Sequence, residues 1–252
     1  MTRLALIITV VVLSTAFTSF TDDAAFMRDQ KRSARVKQAY NDKEKLLNEK
    51  LKPYGLSLNG INILITAFKT EQHLTVYIKA PAEAKYRKFK TYSVCSMSGV
   101  LGPKRRSGDG QVPEGFYYID RFNPASAYYL SLGLNYPNAA DKIRSGKANP
   151  GGDIFIHGKC VTVGCLPVTD DYIKEIYVLA LQAYQSGQHK IPVYIFPYKF
   201  DSISADRISS PYASDKNIIA FWDKLKKGYN QFNARQQELA IRINPAGDYI
   251  FN

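Results

Sequence analysis

A chain of 252 residues is long enough for one core-bearing domain and an accessory element. Its 45% apolar and 22% charged residues argue for a soluble globular protein and against a disordered one. The net charge of +12 favours polyanionic partners, and among nucleic acid, acidic lipid and a carboxylate-rich wall polymer it does not choose.

The first residues, MTRLALIITVVVLSTAF, carry one early cation, Arg3, and then an apolar run from Leu4 to Phe17. That run falls short of the roughly 20 residues that span a bilayer. It fits a secretory signal over residues 1–21, with Ser14-x-Ala16 as a small-residue cleavage pattern; an uncleaved anchor is the alternative. No cysteine follows the run to accept a lipid. Export to the periplasm or cell envelope argues against nucleic acid as the natural partner. It leaves membrane contact to the N-terminal segment alone and places the cysteines in an oxidising compartment.

Residues 22–58 read as an N-terminal helical segment, one amphipathic helix with Val36, Tyr40, Leu47 and Leu51 on a single face. Pro53 and Gly55 close it. The basic cluster Arg28, Lys31, Arg32, Arg35 and Lys37 is its solvated side. From Asn59 the period changes to two. INILITAFK and LTVYIKA predict strands around the turn TEQH, with His73 solvated in that turn. FKTYSVCSMSG predicts a strand ending at Gly99, and GPKRRSGDGQVPEG a loop. FYYIDRF and AYYLSLGLNY predict further strands. PNAADKIRSGKANPGGD is a second long loop with at most a helical turn, and DIFIHG a strand. Tyr117, Tyr118, Tyr128, Tyr129 and Tyr136 are expected to pack across the sheet.

Beyond DIFIHG the period turns helical, with Ile173, Ile176, Tyr177, Ala180, Ala183 and Tyr184 on one face, capped by Thr169 or Asp170 and by Gly187. His189 is expected to be an exposed loop residue. IPVYIFPYKF is a strand that Pro197 places at an edge or bends. NIIAFWDKLKKGYNQF is a last helix with Trp222 on its apolar side, and LAIRINPAGDYIF a terminal hairpin. The fold class is mainly β, α+β, with one catalytic-type domain over 59–252.

The chemistry concentrates in IFIHGKCVTVGCLPVTDD, Ile154 to Asp171. His157, Cys160 and Cys165 would make only three metal ligands, where structural zinc sites hold four. A Cys160–Cys165 disulfide is permitted by spacing. It would leave one thiol over in an exported chain. The third reading is nucleophilic. A cysteine attacks as thiolate, so it needs a base or a cation to lower its pKa. His157 serves if the chain folds back through Gly158 and Gly164. The N–H groups of Cys165 and Gly164 would then meet an oxyanion, and the helix starting near Asp170 would favour the thiolate.

HGKCVTVGC resembles the His-Gly … (Ser/Thr)-x-Gly-Cys motif of the L,D-transpeptidase (YkuD-type) catalytic domains. SGVLGPKRRSGDGQVPEGFYYI, with Pro113 and Gly115, and YYLSLGLNYPNAAD are similar to the family's stretches before the active site. IPVYIFPYKF and FWDKLKKGYNQF resemble the murein transpeptidase-like subgroup with a short His–Cys loop. The resemblance covers roughly Ile61 to Phe232. It implies a β-rich peptidoglycan enzyme of cell-wall biogenesis and cell shape, acting on diaminopimelate-containing stem peptides without cofactor or metal. Cys165 would be the nucleophile and His157 the general base and acid. Gly158 would offer the carbonyl that orients the histidine, Thr162 is the Ser/Thr position, and Gly164 precedes the nucleophile. Lys104, Arg105 and Arg106 would meet substrate carboxylates, their other reading being a solvated loop. A wall-linked protein is a further expected partner, with water or an amine as acceptor. Two departures stand out: Val163 where many members have His, and apolar Leu166-Pro167-Val168 where many carry Arg or Asn. With Cys165 as nucleophile, only Cys95–Cys160 pairing leaves it free. That pairing requires Cα atoms within about 7 Å; two packed free thiols are its alternative.

Overall fold

The structure, a computed structural model, describes residues 23–252. The expected signal, residues 1–21 with Ser14-x-Ala16, lies outside the described residues. No helix among the described residues is long and apolar enough to cross a membrane.

The N-terminal helix is broken where one was expected. Residues 23–32 (α1) and Ala34–Leu51 (α2) meet at Ser33, whose ψ of 130° is extended and interrupts the helical ladder. On α2, Val36, Ala39, Tyr40, Lys43, Leu47 and Leu51 are buried, which is the i, i+3, i+4 spacing of one helical face. That face packs on α4 (Asp170–Gln185), whose N-cap Thr169 accepts a hydrogen bond from the Tyr172 N–H. Of the basic cluster, Arg35 is not merely solvated: its guanidinium donates to the carbonyls of Ser126 and Tyr129 at 2.5 and 2.7 Å.

The strands are β1 (Asn62–Phe68), β2 (His73–Lys79), β3 (Arg87–Ser93), β4 (Gly115–Asn123), β5 (Ser131–Leu134), β6 (Phe155–His157), β7 (Leu166–Pro167) and β8 (Ile191–Phe196). They form one eight-stranded sheet in the order β3-β2-β1-β8-β4-β5-β6-β7. The sheet curls until its two ends meet, because the Cys95 N–H, just past β3, donates to the Pro167 carbonyl of β7 at 2.9 Å. His73 is the first residue of β2 rather than a turn residue, half-buried with its ring 5.1 Å from that of Phe68. β3 ends at Ser93, not at Gly99, because the chain leaves the sheet there to reach β7.

The strand expected at an edge is central. β8 lies between β1, parallel to it, and β4, antiparallel. Pro197 falls just past its last residue, and Pro192 precedes the first β1 partner, Val193, so neither proline removes a needed ladder bond. Both faces of the sheet are covered. Ile63, Ile65 and Ala67 join the core under α2 and α4; Leu64 and Phe68 join a second, aromatic core. The second core is closed by α6 (Lys216–Arg235), with Phe221, Trp222, Leu225, Tyr229 and Phe232 buried, and by the hairpin β9 (Ile241–Ile243) and β10 (Tyr249–Phe251). The second long loop holds a real helix, α3 (Ala139–Ser145), opened by a capping box between Asn138 and Asp141. A short helix, α5 (Ala205–Ser209), has no counterpart in the sequence reading.

Candidate active site

β6 and β7 run parallel, with Ile156 opposite Leu166 and His157 opposite Pro167. Cys165 therefore sits one residue before β7, level with Phe155, and the Phe155 N–H donates to Cys165 Sγ at 3.4 Å. Sγ also lies 3.6 Å from the Asp153 carbonyl oxygen. His157 and Cys165 line one cavity of 490 Å³, together with Asn123, Tyr128, Ser131 and Val163 among others.

His157 is 1% exposed, and its Nδ1 lies 2.6 Å from the Gly158 carbonyl. A carbonyl only accepts, so Nδ1 carries the proton and Nε2 is the basic nitrogen of the neutral ring. The Tyr128 ring covers the imidazole at 4.6 Å between centroids. That tyrosine was expected in the sheet's packing and stands instead at the site, 45% exposed. Tyr117 and Tyr136 are buried as anticipated. Burial lowers the His157 pKa below 6.5, against a smaller upward pull from the Gly158 carbonyl. Burial also pushes the Cys165 thiol above 9, opposed by the Phe155 N–H. Both shifts favour the uncharged forms, thiol and imidazole. The low-pKa thiol expected from the helix dipole and the base is not what this environment favours.

The connecting loop is fixed at nearly every residue. The Lys159 N–H donates to Asp170 Oδ1 at 2.8 Å, tying the loop to the first turn of α4. A side chain at Gly158 would place its Cβ 2.6 Å from that same oxygen, which is why the position takes glycine. Cys160 is disulfide-bonded to Cys95, with Cα atoms 5.2 Å apart, and Cys165 is free. The Cys160–Cys165 alternative is thereby excluded, and His157, Cys160 and Cys165 do not form a ligand triad. Gly164 has φ of +94°, and a Cβ there would lie 3.0 Å from the Gln111 carbonyl oxygen.

Thr162 closes the turn. Its Oγ1 accepts from the Cys165 N–H at 2.8 Å and donates to the Cys165 carbonyl at 3.0 Å. The Gly164 N–H donates to Ser98 Oγ at 2.6 Å. Both N–H groups expected to await an oxyanion are therefore already engaged. Ser98 escaped the sequence reading because it lies 66 residues from its partner.

Lys104, Arg105 and Arg106 do not line the cavity. Lys104 is 5% exposed and bonds Asp109 at 2.6 Å and the Arg106 carbonyl at 2.9 Å. Arg105 bonds Asp141 at 3.0 Å. Only the Arg106 side chain is exposed. Lys104 and Arg105 are thus engaged within the protein, while residues 106–108 are exposed to solvent. Asp109 and Asp141 are the loop's anchors, Asp109 also accepting from the N–H groups of Arg105, Arg106 and Gln111.

Over residues 62–195 the chain matches the L,D-transpeptidase catalytic domain family, YkuD. It is 34% identical over 194 residues to the provisionally named L,D-transpeptidase YafK of Escherichia coli strain K12, covering 76% of this chain and 75% of that one. Among solved structures, the helical cell shape determining protein Pgp2 of Campylobacter jejuni is similar at 22% identity, over 73% of each chain, with a TM-score of 0.43. L,D-transpeptidase 1 of Mycobacterium tuberculosis follows at 13% identity, over 54% of this chain and 62% of that one, with a TM-score of 0.26. With the family match spanning more than half of its length and an E. coli relative at this identity, the chain belongs to the L,D-transpeptidase (YkuD) catalytic domain family.

Proposed function

We propose that the protein is an exported, envelope-located cysteine L,D-transpeptidase that remodels peptidoglycan through a thioester on Cys165. The observation that carries this reading is the tautomer of His157. With Nδ1 held by the Gly158 carbonyl, Nε2 is left as the base in the cavity that holds Sγ. The donor is a stem peptide with diaminopimelate. Sγ attacks the carbonyl on the L-centre, its proton passes to Nε2, the C–S bond forms, and the C–N bond to the next residue breaks as His157 protonates the leaving amine. An amine or water then resolves the thioester. The Cys165 N–H meets the oxyanion only by exchanging Thr162 Oγ1 for substrate.

A second reading, hydrolysis that releases a trimmed stem or a wall-linked protein, draws support from the rim. Val163 is 80% exposed there, the residues after Cys165 are apolar, and the one charged side chain lining the cavity is the carboxylate of Asp153, so no cation there holds the carboxylate of an acceptor stem. The expected result is that Cys165→Ala abolishes turnover of a defined tetrapeptide stem, followed by product masses. His157→Ala should lose at least about 100-fold. Without a D-amino acid the tripeptide is expected; with one, the exchange product. Cys165→Ala at full activity would overturn the nucleophile, and a folded native protein with no product and no thioester would make this a noncatalytic wall-binding module.

A further inference from the structure

Ser131 is 2% exposed, yet its hydroxyl has no hydrogen-bond partner among the described residues. That hydroxyl is not among the sealed, unpaired polar atoms of the described residues, so it opens onto the cavity that Ser131 lines. Ser131 stands directly opposite His157 in the antiparallel pairing of β5 and β6, so the two side chains project to the same face, and both line the cavity of Cys165. β5 and β7 flank β6 on opposite sides. The imidazole thus has the thiol on one flank and Ser131 on the other.

Asn123 and Ser126, which line the cavity beside Ser131, each hold a backbone N–H. Asn123, opposite Ser131 in register, accepts from the Ala125 N–H at 3.1 Å, and Ser126 Oγ accepts from the Tyr128 N–H at 3.0 Å. Unlike these two, Ser131 holds no backbone group with its side chain, and it faces His157 directly across the strand pair. No charged side chain lines this flank; the cavity's carboxylate, Asp153, lies by Sγ.

We infer that Ser131 is the acceptor-side residue. Its Oγ accepts a hydrogen bond from the nucleophile that resolves the Cys165 thioester, while His157 Nε2 takes that nucleophile's other proton. This rests on Cys165 being the nucleophile. The attacking atom must then carry two protons, as in a primary amine or water. For an amine, the C–N bond forms and the C–S bond breaks. The proton held by Nε2 goes on to the thiolate, and the N–H aimed at Ser131 stays in the new amide. A secondary amine has a single N–H, which His157 needs, so it makes no use of Ser131.

The test separates the two half-reactions in the full-length protein, with Ser131→Ala and Ser131→Thr. A tetrapeptide stem gives the acylation burst of released D-amino acid. Glycine, sarcosine and water then serve as acceptors. For Ser131→Ala we expect the burst rate to hold within about twofold, transfer to glycine and to water to fall roughly tenfold, and transfer to sarcosine to stay unchanged. Ser131→Thr, which keeps the hydroxyl, should restore glycine transfer. Equal losses for glycine and sarcosine, a burst that falls in step with transfer, or no change with any acceptor would each overturn the assignment. Loss for glycine with water unchanged would overturn the shared role. Absence of any burst in the unsubstituted protein would remove the thioester itself, and this inference with it.

Discussion

At the scale of the residue, His157 and Cys165 are set by burial rather than by charge. Burial holds the imidazole pKa below 6.5 and the thiol above 9. A base works when neutral, so the acid limb of kcat/KM should fall below pH 6.5, while iodoacetamide alkylation of the resting thiol should rise mainly above pH 9. Alkylation already complete at neutral pH would contradict this. Arg105 makes a different point. Its partner Asp141 is 2% exposed, and burial raises that carboxyl to about 6 despite the guanidinium. The folded value exceeds the unfolded one, so Asp141's favourable contribution is complete below the unfolded value of 3.8 and is lost as pH rises through about 6. Removing Arg105 leaves a buried carboxylate without its cation. Arg105→Ala should cost about 3 kcal/mol at pH 7.5 and clearly less at pH 4.5, read by urea unfolding, with the KM for stem peptide unchanged in the folded fraction. A raised KM with intact stability would return Arg105 to the substrate. That His157 and Cys165 share a cavity was legible in the sequence, because they lie eight residues apart with Gly158 and Gly164 between them. Tyr128, Ser131 and Ser98 were not, because strand pairing and loop closure bring them to the site.

At the scale of the element, the loop from Gly158 to Cys165 owes its shape to a segment with no regular structure. Residues 95–98 reach it twice, through the Cys95–Cys160 disulfide and Ser98 Oγ under the Gly164 N–H, and hold the strand just beyond it through the Cys95 N–H on Pro167. The segment 99–114 that follows is held from below by Lys69, whose Nζ donates to the carbonyls of Val100, Gly102 and Val112 and pairs with Glu114 at 3.0 Å. The disulfide spans 65 residues, so Cys95→Ser with Cys160→Ser should lower stability by about 4 kcal/mol. Turnover should fall by roughly tenfold as Cys165 drifts from its partners. Thermal melting and stem-peptide turnover on one preparation would check both, and unchanged turnover would show that hydrogen bonds alone hold the loop. The pairing was anticipated through the free nucleophile, by elimination. The reach of residues 95–98 was hidden because FKTYSVCSMSG alternates like a strand to its end.

At the scale of the whole molecule, the N-terminal helices belong to the core that carries the site. Val36, Ala39, Tyr40, Leu47 and Leu51 share a cluster with Ile173, Ile176 and Val178 of α4, and α4 begins at the residue that ties down Lys159. Polar contacts reinforce the seam: the buried Lys43 pairs with the exposed Asp171 at 2.7 Å, and the buried Tyr177 donates to Gln30 at 2.6 Å. A chain starting at residue 59 should therefore expose an apolar face of α4 and aggregate or bind a hydrophobic dye, whereas one starting at residue 23 should fold and turn over stem peptide. A monomeric, active fragment from residue 59 would contradict this. The sequence made the α+β class and most strand positions legible through periodicity. It left strand order hidden, since pairings such as β8 between β1 and β4 join segments more than 70 residues apart.

The linkage between Cys95 and Cys160 also governs how this protein is handled at the bench. A cysteine enzyme is ordinarily stored with dithiothreitol to keep its nucleophile reduced. Here the same reagent attacks the strut of the loop that presents Cys165. Protection of the thiol and integrity of the site thus call for opposite buffers. A preparation made in a reducing cytoplasm, or assayed with excess reductant, would under-report activity while showing a full complement of titratable thiols.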